Sequence, residues 1–443
     1  MPTAELQRTR MPPARLARWV FAGAVAVHVV VVEVIFFAGG ARANPLLTLG
    51  NFFGLHVATI LMVQLILIAR LPWLDRRIGM DRLTVWHRWV GFALFWTVLL
   101  HVTFVVLGFA RVDQASPLRT LVSLAGSPAT LFGMAAATIL IAVVGVSTRY
   151  VRRRLQYETW HMIHLALYVT VALGLVHQSL EPNSFSASMA ATVYWWTAWA
   201  LVLTALVVGR VVLPFWRNAY HRFRVAEVVP ESDDVVSVYV TGEHLERLPA
   251  HAGQFFIWRF PGSRPLWHSN PFSLSAAPDG HRLRLTVKAV GEDSRALRNL
   301  PVGARVFAEG PYGAFTAMNR TKPDLLLIAG GIGVTPVRSL LEDVSGSVTV
   351  LYRARTEADA VLLLEVRDLA AARGGQVHLL TGRTAGGPPP FAPENLVALV
   401  PDIAERDVYV CGPPAMTSAV LRSLRELHVP ARQVHAERFA LIT

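Results

Sequence analysis

The chain has 443 residues, enough for two or three domains. Hydrophobic residues make up 53% and charged residues only 16%, against about 25% charged in a soluble globular chain, so a large part of the chain does not face water. Residues 1–222 hold 19 Lys+Arg against 7 Asp+Glu, net +12, while residues 223–443 hold 23 of each. The excess charge belongs to the apolar half, as in a membrane protein with basic cytoplasmic loops, and argues against nucleic-acid binding. Cys411 is the only cysteine, which excludes an intramolecular disulfide, a Cys-ligated iron–sulfur cluster and a Cys-type structural zinc.

Apolar runs near 19–38, 51–69, 84–108, 130–147, 160–178 and 191–213 are each close to the ~20 residues that cross a bilayer. They predict six spans. The first is too long for a signal peptide and lacks a clear cleavage site before Arg42. Arg8, Arg10, Arg15 and Arg18 precede span 1, and Arg70, Arg76, Arg77 and Arg82 join spans 2 and 3. Arg149 and Arg152–Arg154 join spans 4 and 5, and Arg210, Arg217 and Arg222 follow span 6. The other three loops hold only Arg42, Arg111 and Arg119. This bias puts both termini in the cytoplasm, and the plasma membrane is the expected location.

Histidine is the unusual residue of these spans, because polar groups in a bilayer are costly and tend to be functional. His87 and His101 lie on span 3, about 21 Å apart along a helix and within about 40° of one face. Span 5 carries His161, His164 and His177. His164 and His177 are about 20 Å apart but about 140° round an ideal helix, so a bulged turn or different rotamers must bring them into line. His161 is a rival for the inner position. Two helices thus offer two imidazole pairs, one near each membrane surface. Facing pairs suit bis-imidazole ligation of haem iron, and the ~30 Å apolar core has room for two haems. Single histidines such as His28 and His56 read as core residues bonded to neighbouring helices. Glu33 is expected in the outer third of span 1, either as part of a cation site with His56 or paired within the bundle.

From Phe223 the pattern changes to short alternating runs, Val235–Val240, Gln254–Arg259 and Arg282–Val287, which predict antiparallel strands of a small barrel up to about residue 318. Asn270-Pro271-Phe272-Ser273 lies within it, followed by Lys288, Gly291, Ser294 and Arg295, then Gly310-Pro311-Tyr312-Gly313. A glycine turn entering a helix at Ser294 aims backbone N–H groups at an anion. Asp324–Ala329 then reads as a buried strand running into Gly330, Gly331, Gly333, Thr335 and Pro336, where glycines let the backbone approach a pyrophosphate. Strands at Val348–Tyr352, Gln376–Leu380 and Asp407–Val410 alternate with helices, as in an α/β nucleotide domain. Cys411-Gly412-Pro413-Pro414-Ala415-Met416 follows the last of these.

With these residues in view, the sequence resembles the ferric reductase and NADPH oxidase transmembrane proteins, which share six helices with a 14-residue His pair on the third and a 13-residue pair on the fifth. The soluble half is similar to the ferredoxin–NADP reductase superfamily. The resemblance implies a six-helix transmembrane bundle followed by an antiparallel β-barrel FAD domain and an α/β nucleotide-binding domain. Its divisions are a cytoplasmic segment 1–18, a di-haem domain 19–216, the FAD barrel 217–318 and the NAD(P)H domain 319–443.

By the same resemblance, His87 with His164 holds the inner of two b-type haems and His101 with His177 the outer, and Arg88 pairs with a haem propionate or snorkels at the inner surface. Phe272 packs on the isoalloxazine and Ser273 bonds near flavin N5. Asn270 and Pro271 open that motif, and Asn270 departs from the Arg or His of relatives. That leaves more of the pyrophosphate contact to Lys288, Gly291, Ser294 and Arg295. Gly330, Gly331, Gly333, Thr335 and Pro336 receive the nicotinamide dinucleotide, with Cys411, Gly412, Pro413 and Met416 on its nicotinamide side. Arg353 and Arg383 bear on cofactor choice, and relatives that prefer NADPH place an Arg at the position of Arg383 to meet the 2′-phosphate, favouring NADPH over NADH. Glu437-Arg438-Phe439 resembles the acidic-x-aromatic end of the reductases, whose aromatic covers the flavin. Ser273, Cys411, Glu437 and Phe439 form the implied catalytic set.

The implied activity is electron transfer from cytoplasmic NADPH through FAD and two haems to an extracytoplasmic acceptor, dioxygen (giving superoxide) or a ferric chelate. The alternatives are donation to a periplasmic or extracellular partner protein, and a non-catalytic membrane sensor or transporter with a degenerate reductase tail. Expected partners are the small-molecule acceptor and membrane lipid, without nucleic acid. The sequence leaves any protein partner unassigned. No calcium-binding loop is read, so constitutive activity is expected.

Overall fold

The computed structural model describes residues 14–40, 44–181, 184–261, 270–382 and 389–438. Arg8, Arg10, Arg42, Arg383 and Phe439 lie outside the described residues. Two compact units emerge. Among the described residues, one holds Arg18–Leu71 and Leu83–Arg210; the other holds Pro72–Arg82, the residues from Val211 onward and those up to Ala17.

Six helices among the described residues are long and apolar enough to cross a membrane: Leu16–Ala38, Pro45–Ile68, Met80–Val112, Pro128–Val146, Thr159–Leu180 and Met189–His221. Each overlaps a run read from the sequence, and the chain is an integral membrane protein. The helix starts follow local chemistry. Asn44 sits in the extended region and its side chain accepts from the Leu46 amide at 2.8 Å, with Pro45 at the first helical position. Ser188 caps the last span through the Ala191 amide at 3.1 Å. The first span turns Val20, Val27, Val30, Val34 and Phe37 outward, an apolar surface suited to lipid. Inside the bundle, Trp195 and Trp199 are each 1% exposed. Both indoles donate to Gln178 Oε1, at 3.1 and 3.2 Å, so neither buried N–H is left unpaired.

Two irregularities interrupt the spans. The fifth is broken at Ala166, between helices Tyr157–Leu165 and Leu167–Leu180. There the Ala166 amide bonds Ile163 O and the Val169 amide bonds Ala166 O, a tightened i−3 pattern that adds rotation per residue. The sixth passes through a π-helical turn at Val208–Val212 before Leu213–His221, just ahead of Pro214, which has no N–H to give the ladder. Gly209 is required in that turn because a Cβ there would collide with the Ala69 carbonyl.

In the other unit the strands are β1 Arg224–Pro230, β2 Val235–Thr241, β3 Phe255–Arg259, β4 Asn270–Ser273, β5 Arg282–Lys288, β6 Phe307–Tyr312, β7 Leu325–Gly330, β8 Val348–Arg353, β9 Gln376–Leu380, β10 Asp407–Gly412 and β11 Val434–Arg438. The expected barrel takes the form of two antiparallel three-stranded sheets, β1-β2-β5 and β4-β3-β6, joined by the bridges Leu274–Leu285 and Arg224–Arg305. They share one core around Val238, Phe256, Trp258, Leu274 and Leu285. The remaining strands form a parallel sheet in the order β11-β10-β7-β8-β9. Leu325–Ile328 are 0% exposed, as expected of a central parallel strand covered on both faces. Strand order reverses between β7 and β10, and ligands of doubly wound sheets bind outside the strand ends at such a point.

Candidate functional site

In the membrane unit the structure brings four histidines together in two pairs. The rings of His87 and His164 lie 6.1 Å apart between centroids, and those of His101 and His177 lie 6.5 Å apart. A metal–imidazole bond of about 2.0–2.1 Å, with the ring centroid roughly 1.1 Å beyond the nitrogen, puts two axial imidazoles about 6.3 Å apart. The described pairs bracket that separation. The break at Ala166 lies between His164 and His177, and its i−3 bonds add part of the rotation that an ideal helix lacks.

The partners of each ring differ. His101 Nδ1 lies 2.8 Å from Gly50 O, and His177 Nδ1 lies 2.8 Å from Ala129 O. Such bonds leave Nε2 free to face a metal. His164 stacks on Trp160 at 5.1 Å, and Arg152 lies 4.7 Å over that indole. The Gln64 amide donates to His87 O at 2.9 Å. His161 has its own interactions, beside Trp160 and within the field of Arg210 and Arg70, and is not the residue facing His87. Arg88 is exposed. His28 bonds the Tyr194 hydroxyl at 2.7 Å, and His56 Nε2 lies 3.1 Å from Glu33 Oε1. Of the two readings left open for Glu33, the structure shows the pairing within the bundle.

In the other unit Phe272 is half-buried against the sheet core. Its carbonyl accepts from the Trp258 indole at 3.1 Å. Ser273 is 4% exposed, and its Oγ has no hydrogen-bond partner among the described residues. A buried orphan hydroxyl calls for a ligand or water to satisfy it. Asn270 and Pro271 pair with Trp258 and Ile257 across the sheet. Lys288 is engaged by Asp234 at 3.1 Å. Ser294 Oγ takes the amides of Val290 and Gly291 at 2.9 and 3.0 Å, so those two N–H groups are already satisfied. Arg295 is exposed.

At the end of β7, Gly331 has φ +53 and leads through Gly333 into the helix Val334–Asp343. Side chains here would block the approach of the β7 and β10 ends. A Cβ on Gly330 would meet Met416 Sδ at 2.5 Å and Pro413 Cδ at 2.9 Å, and one on Gly333 would strike the Cys411 carbonyl. A Cβ on Gly412 would meet Met416 Cε at 2.6 Å. Thr335 Oγ1 donates to Ile332 O at 3.0 Å, and Pro336 is buried in the same helix. Arg353 gives its guanidinium to two backbone carbonyls, Leu380 O at 3.0 Å and Gly382 O at 2.6 Å. It braces the turn that enters Arg383.

Cys411 is 0% exposed and pairs with Glu437 across the β10–β11 ladder. Burial first, then the Glu437 charge, pushes its thiol well above the ordinary range. Glu437 is half-buried as a residue but its carboxyl is enclosed. That burial, together with Asp81 and Asp75, raises it well above the usual carboxylate range. Sequence reasoning missed these two aspartates. Asp75 lies between the second and third spans and Asp81 in the first turn of the third, and Asp75, 1% exposed, accepts from the Gly313 amide at 2.8 Å. The one available signal was a pair of acidic residues in an arginine-rich loop.

Residues 53–175 match the family model of the ferric reductase like transmembrane component, and residues 327–422 match the oxidoreductase NAD-binding domain. The 3-ketosteroid-9-alpha-monooxygenase ferredoxin reductase component of Mycolicibacterium smegmatis is 34% identical over 232 residues, 49% of this chain and 64% of that protein. The flavohemoprotein of Chromobacterium violaceum is 30% identical over 249 residues, 50% of this chain and 61% of that protein. This chain therefore spans less than two thirds of either relative. Among solved structures, the flavohem-like FAD/NAD binding domain of nitric oxide dioxygenase from Vibrio cholerae O1 biovar El Tor is 27% identical, with a TM-score of 0.40. That match covers 49% of this chain and 98% of the other.

Proposed function

We propose that this ferric-reductase-like membrane domain and its NAD-binding oxidoreductase domain carry electrons from NADPH, through FAD and two b-type haems, across the plasma membrane to a ferric chelate or dioxygen. The observation that carries this reading is the pair of facing imidazoles at each of two levels of the bundle, 6.1 and 6.5 Å between ring centroids. When bound, FAD would accept hydride and release electrons singly, and haem iron would carry one at a time.

The chain's own part is binding, orientation and exclusion of water. His87 with His164, and His101 with His177, would hold the two haems. Ser273 Oγ, buried without a partner, is a hydrogen-bonding group for the flavin beside Phe272. The glycines at 330, 331, 333 and 412 would admit the dinucleotide to the end of β7, next to Cys411. With Arg353 spent on carbonyls, Arg383 is the residue left to meet a 2′-phosphate. The arginine bias supports cytoplasmic termini, on the side where NADPH is available.

The test is anaerobic addition of NADPH to the purified full chain while the haem Soret and α bands are followed, with oxygen or a ferric chelate then admitted separately. Reduction by NADPH, followed by rapid reoxidation with one acceptor, supports the reading and identifies the acceptor. Absence of haem bands rejects it.

A further inference from the structure

Two polar bonds in the outer half of the bundle are built the same way. On the second span, Gly50 O is 2.8 Å from His101 Nδ1, and four residues on, at Gly54, a Cβ would lie 2.8 Å from His101 Cε1. On the fourth span, Ala129 O is 2.8 Å from His177 Nδ1, and four residues on, at Gly133, a Cβ would lie 3.0 Å from His177 Nδ1. In each case one helical turn supplies the acceptor, and the next supplies a glycine where a Cβ would press on the ring and shift it from its present place. The inner rings have different neighbours: His87 Nδ1 and His164 Nδ1 have no hydrogen-bond partner among the described residues, His164 lies on Trp160 beneath Arg152, and the Gln64 amide donates to the His87 carbonyl and lies 3.4 Å from His87 Nε2.

We propose that Gly50 with Gly54, and Ala129 with Gly133, are matched cradles that lock His101 and His177 as strong Nε2 donors and make the outer haem the lower-potential of the two. A carbonyl accepting the Nδ1 proton raises the basicity of the other ring nitrogen. A more basic axial ligand stabilises ferric over ferrous iron and lowers the potential. On the inner side, the Arg152 guanidinium beside Trp160 acts in the opposite sense, since added positive charge favours the reduced form. The outermost carrier would then be the stronger reductant, as one-electron reduction of an external acceptor needs. This inference rests on the haem reading of the preceding section.

The experiment is a spectroelectrochemical titration of the full chain in detergent, with low-spin ferric signals followed by electron paramagnetic resonance. The wild type should show two one-electron steps, and His164→Ala, stripped of an inner ligand, should titrate only at the lower one. Gly54→Ala and Gly133→Ala should each move the lower step upward and alter its low-spin signal, leaving the upper step in place. Gly145→Ala, on the fourth span where a Cβ meets nothing within 4 Å, should move neither. The proposal is overturned if both glycine variants leave the lower step unmoved, if the upper step moves instead, or if His164→Ala keeps the upper step. Should a glycine variant fail to fold, the His164→Ala titration still decides which level is lower. A wild type without bis-imidazole low-spin signals rejects the haem reading itself, a separate result.

Discussion

Asp75 Oδ2 accepts a hydrogen bond from the Gly313 amide at 2.8 Å, joining residues 238 positions apart in sequence. Both are buried, so the bond satisfies a backbone donor at the end of β6 that water does not reach. Replacing Asp75 by Ala should strand that donor and cost about 1–3 kcal/mol of stability, read as a lower unfolding midpoint of the detergent-solubilised chain. An unchanged midpoint would mean the bond contributes nothing net.

Glu437 predicts a pH dependence of defined sign. Its carboxyl is held well above the usual range by burial, Asp81 and Asp75, so the folded state binds its proton more tightly than the unfolded chain does. The associated stability is fully present below the ordinary Glu pKa of about 4.3 and is lost as pH rises through the raised folded value. Thermal unfolding of wild type and Glu437→Gln across pH should show a high-pH decline in the wild type that the variant reduces. Parallel curves would contradict this assignment.

The Glu365 carboxylate is one of the ties between the antiparallel sheets and the region of the parallel sheet; Glu342, which accepts from the Ala277 amide, is another. Glu365 meets Arg284 of β5 at 3.0 Å and Arg338 at 2.7 Å. Burial alone would raise Glu365, but the two guanidiniums outweigh it and hold the carboxyl low. Glu365→Ala should leave the buried Arg284 charge uncompensated, at a cost of about 2 kcal/mol once the partial exposure of Glu365 is allowed for. Denaturant unfolding of the pair of proteins measures it, and Glu365→Gln should fall between them.

Arg383→Ala should raise the KM for NADPH about tenfold or more while moving that for NADH little, the loss expected of one charged hydrogen bond. Equal effects on both nucleotides would remove the 2′-phosphate from its role.

His161→Ala should retain both haem signals, whereas His164→Ala should lose one. Pyridine haemochrome content per polypeptide separates the two, and the reverse pattern would make His161 the inner ligand.

The regular elements were legible wherever one period dominates. Six apolar runs became six spans, and alternation at Val235–Thr241 and Arg282–Lys288 became paired strands. The pairing of His87 with His101 along one face also follows from helix geometry. Choosing His164 over His161 did not: an ideal helix carries His177 away from His164, and the break at Ala166 that lies between them is not marked by any breaker residue in the sequence. Asp75 and Asp81 were invisible for a different reason, since neither resides in a motif and their partner lies at the far end of the chain. Lys288 and Ser294 carry charge and a hydroxyl in a suggestive place, yet Asp234 and the local backbone engage them. Composition does not reveal which polar groups are already satisfied.

Cys411, enclosed between β7 and β11 with a thiol pushed upward, makes the native chain nearly inert to thiol reagents in its folded state. A cysteine introduced into any loop between spans would then be the single labelled position, with no background to remove and no disturbance of β10. Membrane-impermeant maleimides applied to intact cells or inverted vesicles can therefore map sidedness loop by loop on the otherwise unaltered protein.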